Sequence, residues 1–309
     1  MIKSIIITDR LEVLKLLLEE LKTFVAVVEK RNFTSAGKYL NISQPTVSLH
    51  IKNLEAEFKA SLLVRANKVF DITPTGQLLY ERAKQLLYLA EQTKEEVLWQ
   101  QSHVSGKLRI AASYTIGESV LPKVLMKLHT AYPDLHVEVT ISNTEHVETA
   151  VREFKTDVGC IEGNVRVEGL IIQPFMEDEL ILVATSGHPL AGMSPLNATD
   201  LQSCHWVMRE KKSGTRQYTD YLLQSIGNVI PSKTIISSNE GVKKAVLSGL
   251  GIAAVSVLTV RDELKNGKLV QLHFDTTQHK RTFSTLCSPS MLQKRNVTVF
   301  LKELMSTFA

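Results

Sequence analysis

The chain of 309 residues is 44% hydrophobic and 22% charged, with a formal net charge of +4. That length exceeds one compact domain of roughly 100–200 residues and predicts two or three units, and the composition excludes a disordered or low-complexity chain. Cys160, Cys204 and Cys287 are odd in number and widely spaced, which suits buried thiols in a reducing compartment better than a disulfide framework.

The Ile5-Ile6-Ile7 run gives way to Asp9 and Arg10, far short of a secretory segment. Ala245–Val260 is uncharged but includes Ser248, Gly249, Gly251, Ser256 and Thr259, so it is too short and too polar to span a membrane; a helix end followed by a buried strand is expected there. A cytoplasmic protein with no membrane partner follows. Residues 1–20 read as an extension in which Leu11–Glu20 continues an amphipathic helix, and the native start is expected near Leu16–Leu18.

From Leu21 the helix signals become specific. Phe24, Val27 and Val28, then Phe33, Ala36 and Leu40, supply the apolar faces of two supporting helices, with Asn41 at a turn that favours positive φ. Ser43 is a candidate N-cap, and Pro45 falls in the first turn, where a missing N–H costs nothing. Val47, Ile51, Leu54 and Phe58 then recur at helical spacing and predict one buried face. Pro45, Thr46, Leu49, Lys52 and Asn53 point away from it, with Gln44 and Ser48 at its margins and His50 at its edge or on a phosphate. This is a helix-turn-helix pattern with a second helix suited to a DNA groove.

Ser61–Arg65 and Val69–Thr73 flank Ala66-Asn67-Lys68 and predict a two-stranded wing, with Arg65 and Lys68 either meeting phosphates or serving as solvated surface cations. Between Leu21 and Thr73 eight Lys or Arg face four Asp or Glu, so the whole basic excess lies on this segment, as a polyanion partner requires. Thr73 and Pro74 open a helix running to about Gln100, in which Leu79, Ala83, Leu86, Ala90, Thr93 and Val97 form a heptad seam, for a twin helix or for packing on the same chain.

In order and spacing, Phe33-Thr34-x-Ala36, Ser43-Gln44-Pro45-x-Val47-Ser48, Ile51-x-x-Leu54-Glu55, Leu62-x-x-Arg65 and Thr73-x-x-Gly76 resemble the N-terminal signature of LysR-type transcriptional regulators. Two positions depart from it: Leu49, where many members carry a base, and Ala60, where glycine is usual. The resemblance implies a winged helix-turn-helix domain over 21–73, a linker and dimerisation helix over 74–105, and an α/β effector domain over 106–309. It implies DNA contacts from Thr34, Ser43, Gln44, Pro45, Thr46, Ser48, Lys52, Arg65 and Lys68.

Beyond the polar break Ser102–Gly106 the chain alternates strands and helices. Strands are predicted at Leu108–Ser113, Val137–Ser142 and Asp157–Ile161, and helices at Glu118–Tyr132 and Glu145–Phe154. A second unit is predicted from His188, with strands at Trp206–Met208, Thr234–Ile236 and Ile252–Val255 and helices from Arg216 and at Val242–Ser248. The resemblance implies two lobes like those of type II periplasmic binding proteins, one of about 106–187 and 269–309 ending in a helix at Asn296–Met305, the other of about 188–268.

Three strand-to-helix junctions are rich in hydroxyl and glycine: Ser113-Tyr114-Thr115-Ile116-Gly117, Ser213-Gly214-Thr215-Arg216 and Ser237-Ser238-Asn239-Glu240-Gly241. Each offers N–H groups at a helix start, where an anion is favoured, although simple N-capping accounts for such residues too. The first two, through Ser113, Thr115, Ile116, Ser213, Gly214, Thr215 and Arg216, are the candidate site for a small anionic effector. Met208–Arg216, Phe175–Glu179 and Ser237–Lys243 resemble the CysL-type branch of the family, which activates sulfur-assimilation genes such as sulfite reductase.

The chain therefore reads as a homo-oligomeric regulator with double-stranded DNA, a small effector and RNA polymerase as partners. A solute-binding or sensory module without DNA readout is the alternative. Enzyme chemistry has no support: Gly249-Leu250-Gly251 mimics a dinucleotide fingerprint but sits between a predicted helix and a predicted strand, the reverse of what that motif needs, and no metal-ligand spacing or cofactor motif occurs.

Overall fold

The computed structural model describes residues 17–64, 70–98, 104–163, 168–227, 232–274 and 280–308, apart from the side chains of 92 and 94–98. The chain divides into two compact units, Met1–Ser102 and His103–Ala309.

In the first unit, helix α1 covers residues 17–30, followed by α2 (Phe33–Leu40) and α3 (Gln44–Glu57). The strands β1 (Leu63–Val64) and β2 (Asp71–Ile72) pair antiparallel, and α4 runs from Pro74 to Leu98. Local chemistry sets the boundaries. Asn32 caps α2 by accepting from the Ser35 amide, Asn41 ends it at φ 57°, and Ser43 caps α3 by accepting from the Thr46 amide. The turn between these helices is tight enough that a Cβ on Gly37 would lie 2.8 Å from the Ile42 carbonyl oxygen. Leu21, Phe24, Val27, Ala36, Val47, Ile51, Leu54, Leu62 and Ala83 form the core, and each large aliphatic or aromatic side chain buried there is worth about 1.5–3 kcal/mol.

Three expectations change. Phe58 is 46% exposed, because α3 ends at Glu57 and the helical period stops carrying it inward. Asn53 is half-buried and donates to Glu20 Oε1 at 2.7 Å, so it ties α3 to α1 instead of facing outward. The heptad seam divides: Leu79 and Ala83 enter the core of this unit together with Tyr80 and Leu87, whereas Leu86, Ala90 and Thr93 are exposed. The outward apolar stripe of α4 is Leu78, Leu86 and Leu89, at 57%, 50% and 56% exposure. The Val97 side chain, Arg65, Lys68 and the wing turn lie outside the described residues.

The second unit is built on β3 (Gly106–Ser113), parallel to β4 (Leu135–Ser142) and to β5 (Val158–Glu162). Beside β5 lies β11 (Lys280–Cys287), antiparallel, and beside β11 lies β6 (Ile171–Thr185). The latter half of β6 pairs instead with β9 (Ala253–Ser256) and β10 (Leu269–Leu272). A separate parallel pair, β7 (His205–Arg209) and β8 (Ser232–Ile236), joins the second lobe. The helices are α5 (Leu121–Ala131), α6 (Thr144–Arg152), α7 (Ala198–Gln202), α8 (Gly214–Ser225), α9 (Asn239–Leu247), α10 (Val257–Lys265) and α11 (Arg295–Phe308).

The lobe boundaries move accordingly. Ile181, Leu182, Val183 and Ala184, with Leu269 and Leu272, belong to the core clusters of the second lobe, so the chain crosses within β6 near Glu179 and is back in the first lobe at Lys280. The predicted helix at Glu118–Tyr132 starts as a π-turn, Ile116–Val120, and becomes α-helical at Leu121. Ala245–Val260 holds the end of α9, then β9, then the start of α10, which Ser256 caps through Leu258 N–H. The Gly249–Gly251 segment follows a helix and precedes a strand, and all three cysteines are buried free thiols.

Gly76 joins α4 to the wing. A Cβ there would lie 2.1 Å from the Leu62 carbonyl oxygen, which also accepts the Thr73 amide. Gly76→Ala is therefore expected to destabilise the first unit by about 2–4 kcal/mol. Native-state hydrogen exchange of its core amides reads this, and unchanged exchange would show that the Leu62 strand can yield.

Candidate DNA-reading surface and interlobe site

The exposed side of α3 is ordered by its own first turn. Ser43 Oγ accepts from Thr46 N–H at 3.2 Å and lies 2.8 Å from Thr46 Oγ1, and Gln44 Nε2 donates to Ser48 Oγ at 3.0 Å. Gln44 thus presents its carbonyl oxygen and one remaining N–H on a side chain already oriented by Ser48. Thr34, Ser43, Gln44, Pro45 and Lys52 are exposed, Thr46 and Ser48 half-exposed, and Leu49 is 55% exposed beside them. Amide, hydroxyl and apolar groups on a helix are the pieces that read major-groove edges, while cations contact phosphate. His50 is oriented inward: Thr23 donates its hydroxyl to the Glu19 carbonyl at 2.9 Å, so His50 Nδ1–H donates to Thr23 Oγ1 at 2.8 Å.

In the second unit the hydroxyl junctions meet around a guanidinium that the sequence reading missed. Arg281, 8% exposed at the start of β11, donates from Nε to Asp178 at 2.7 Å and pairs through Nη1 with Glu162. The same guanidinium donates to Thr215 Oγ1 at 3.1 Å and to Thr115 Oγ1 at 3.2 Å, joining a residue of each lobe. Thr115 also donates its amide to Glu162 Oε1 at 2.9 Å and accepts from Asn239 Nδ2 at 3.1 Å. Asp178 accepts from Ser256 Oγ at 2.6 Å. Burial raises the Glu162 pKa, but the Arg281 charge and the Thr115 amide outweigh it and hold the carboxyl below its ordinary value. For Asp178 burial prevails over Arg281 and Ser256, and the pKa is raised.

The other expected residues divide. Ser113 is 2% exposed and its Oγ has no hydrogen-bond partner. Ser213 caps α8 without a side-chain bond to its amides, and Gly214 packs so tightly that a Cβ would lie 2.8 Å from Glu162 Cβ. Ile116 is buried as an apolar group at the start of the π-turn. Arg216 does not supply the expected free cation: it donates to the Arg209 carbonyl at 2.9 Å and to Asp220 at 2.7 Å, because a cation in the first turn finds a carboxylate at i+4. At the third junction Ser238 caps α9, and Asn239 turns inward to pair with Arg209, whose guanidinium also lies 4.4 Å from the Tyr114 ring centre. A cleft of ≈ 580 Å³ opens beside Asn239, between Glu118 and Ser119 of one lobe and Lys243 and Arg261 of the other. Exposed Lys212 and Glu145 bridge the lobes at 2.6 Å.

Among the described residues no group of His, Cys, Asp and Glu could hold a metal ion, and no helix is long and apolar enough to cross a membrane. Gln44→Ala and Ser48→Ala are expected to reduce discrimination between operator and random DNA by about 1–3 kcal/mol per lost base contact, whereas Lys68→Ala weakens both and lowers the salt slope by about one. Gel-shift titrations on both DNAs separate these outcomes, and equal losses for Gln44→Ala would refute its reading of bases.

Comparison with known proteins agrees with both units. Residues 18–77 match the bacterial regulatory helix-turn-helix protein, lysR family, and residues 101–309 match the LysR substrate binding domain. The chain is 48% identical to the HTH-type transcriptional regulator CysL of Bacillus subtilis over 93% of its own length and 96% of the relative's. Its structure is similar to ArgP from Mycobacterium tuberculosis (TM-score 0.73, 19% identity, 94% and 96% of the two chains). It is also similar to the CcmR regulatory domain of Synechocystis PCC6803, solved in complex with 2-PG (TM-score 0.60, 28% identity, 66% of this chain and 98% of that one). With a helix-turn-helix unit and a two-lobed binding domain each matched over its length, the chain belongs to the LysR family and is a DNA-binding transcriptional regulator, not an enzyme.

Proposed function

We propose that this regulator is a cytoplasmic homo-oligomer that reads its operator with the Ser43–Lys52 face of α3 and responds to a small oxyanion or carboxylate held between the lobes of its second unit. The observation that carries the effector reading is the convergence of Thr115 and Thr215 on Arg281, with Asn239 donating to Thr115 and the buried Ser113 hydroxyl acting on Glu162. Hydroxyls, an amide and a planar cation drawn from both lobes form a set to which a small anion is matched. The 2-PG complex of the CcmR regulatory domain supports a ligand in this kind of domain. The exposed Leu78, Leu86 and Leu89 stripe of α4 supports pairing with a second copy, which sets the spacing of two recognition helices on DNA. The likeness to CysL supports genes of sulfur assimilation as targets.

A ligand alters the protein only through unequal affinity for two arrangements, here of the lobes about Arg281. Thr115→Val and Thr215→Val are accordingly expected to abolish the effector response while effector-free operator binding is retained. Footprinting of the operator across a panel of sulfur-containing and carboxylate metabolites measures this; a full response in both variants would place the effector elsewhere.

A further inference from the structure

Glu162 lies where an anion would be expected. Its carboxylate takes the Thr115 amide and one nitrogen of Arg281, and it lies against the first turn of α8, with Oε2 3.3 Å from the place of a Cβ on Gly214. Donors there exceed what Glu162 uses. Ser213 makes no capping bond to the amides of that turn, and the Ser113 hydroxyl, at 2% exposure, helps to lower the Glu162 pKa without reaching the carboxylate in a well-formed hydrogen bond. Ser113, two residues before Thr115 and at the end of the strand beside β5, is a buried polar group whose cost is fully recovered only when an acceptor reaches it at bonding distance.

Resting on the interlobe reading above, we propose that this is an oxyanion site whose resident occupant in the effector-free protein is the chain's own Glu162, and that an anionic effector binds by replacing Glu162 on Arg281 and Thr115. The hydrogen-bonding capacity of a buried guanidinium accounts for the arrangement. With Asp178 already on Nε, a buried Arg281 needs a second acceptor on its Nη1 edge whether or not ligand is present, and Glu162 supplies it. A tethered carboxylate also competes at high effective concentration, so it sets a threshold that only a well-matched oxyanion exceeds. A well-formed bond from the Ser113 hydroxyl, which Glu162 engages only weakly, and bonds from the α8 amides are the means by which such an anion gains over the internal one.

The test is titration of the full chain with sodium sulfate, and separately with sodium acetate, at ionic strength held constant with sodium chloride. Glu162→Gln keeps the shape and the acceptor for Thr115 but removes the competing charge, so sulfate is expected to bind about tenfold or more tightly than to the wild type. Glu162→Asp, which keeps the counter-charge but withdraws it by one methylene, is expected to fold and to show a smaller gain. Glu162→Ala is expected to be stabilised saturably by acetate, which replaces the missing carboxylate, while the wild type is not. Sulfate affinities in Glu162→Gln and Glu162→Asp no higher than in the wild type, with no acetate effect on Glu162→Ala, would overturn the proposal and leave Glu162 as a structural counterion. That failure differs from failure of the interlobe reading, which the operator responses of Thr115→Val and Thr215→Val decide.

Discussion

A guanidinium buried beneath two lobes dictates much of the second unit. Arg281 cannot be left without counter-charge in a medium of low polarity, and it obtains Glu162 from β5 and Asp178 from β6, the strands on either side of its own. Those pairings fix the register of three strands at the level where β6 passes from one lobe to the other. Thr115 and Thr215, which begin helical segments in different lobes, are drawn to the same cation. The hinge of the fold and the convergence of its hydroxyl junctions are therefore one feature, and a change of charge at Arg281 is felt by both lobes.

The N-terminal unit was largely legible in the sequence because its determinants are local. Asn32, Asn41 and Ser43 act within one turn of their own positions, and Val47, Ile51 and Leu54 need only the helical period to find the core. Legibility failed where a local rule ended or a distant partner intervened. Phe58 lies just past the helix, and Asn53 is claimed by Glu20, 33 residues earlier.

In the second unit the hydroxyl-rich junctions could be seen, but not what they surround. Arg281 is separated by 103 residues from Asp178, 119 from Glu162 and 166 from Thr115, and only strand pairing brings them together. Arg216 was the natural choice for the cation because it follows Thr215 directly. The choice fails because its side chain turns back along α8 to Asp220 and to the Arg209 carbonyl. The lobe boundary is hidden for a related reason: β6 is one continuous strand of 15 residues, and nothing in its own sequence marks where its partner changes from β11 to β9.

The energetics of Arg281 are of the size a switch requires. Inverting a two-state equilibrium from 1:99 to 99:1 takes about 5.5 kcal/mol of differential binding, and removing one partner from a buried ion pair costs about 3–5 kcal/mol. Exchange at one position of Arg281 is thus commensurate with a change of state, whereas the exposed Lys212–Glu145 bridge across the same cleft, of a kind worth about 0–1 kcal/mol, is not. Since Arg281 bonds Thr115 of one lobe and Thr215 of the other, an acceptor that takes its Nη1 edge alters the contact that holds the two together. The free energy of such an exchange is spent where the lobes meet, and that position makes a local exchange of hydrogen bonds a change in the whole domain.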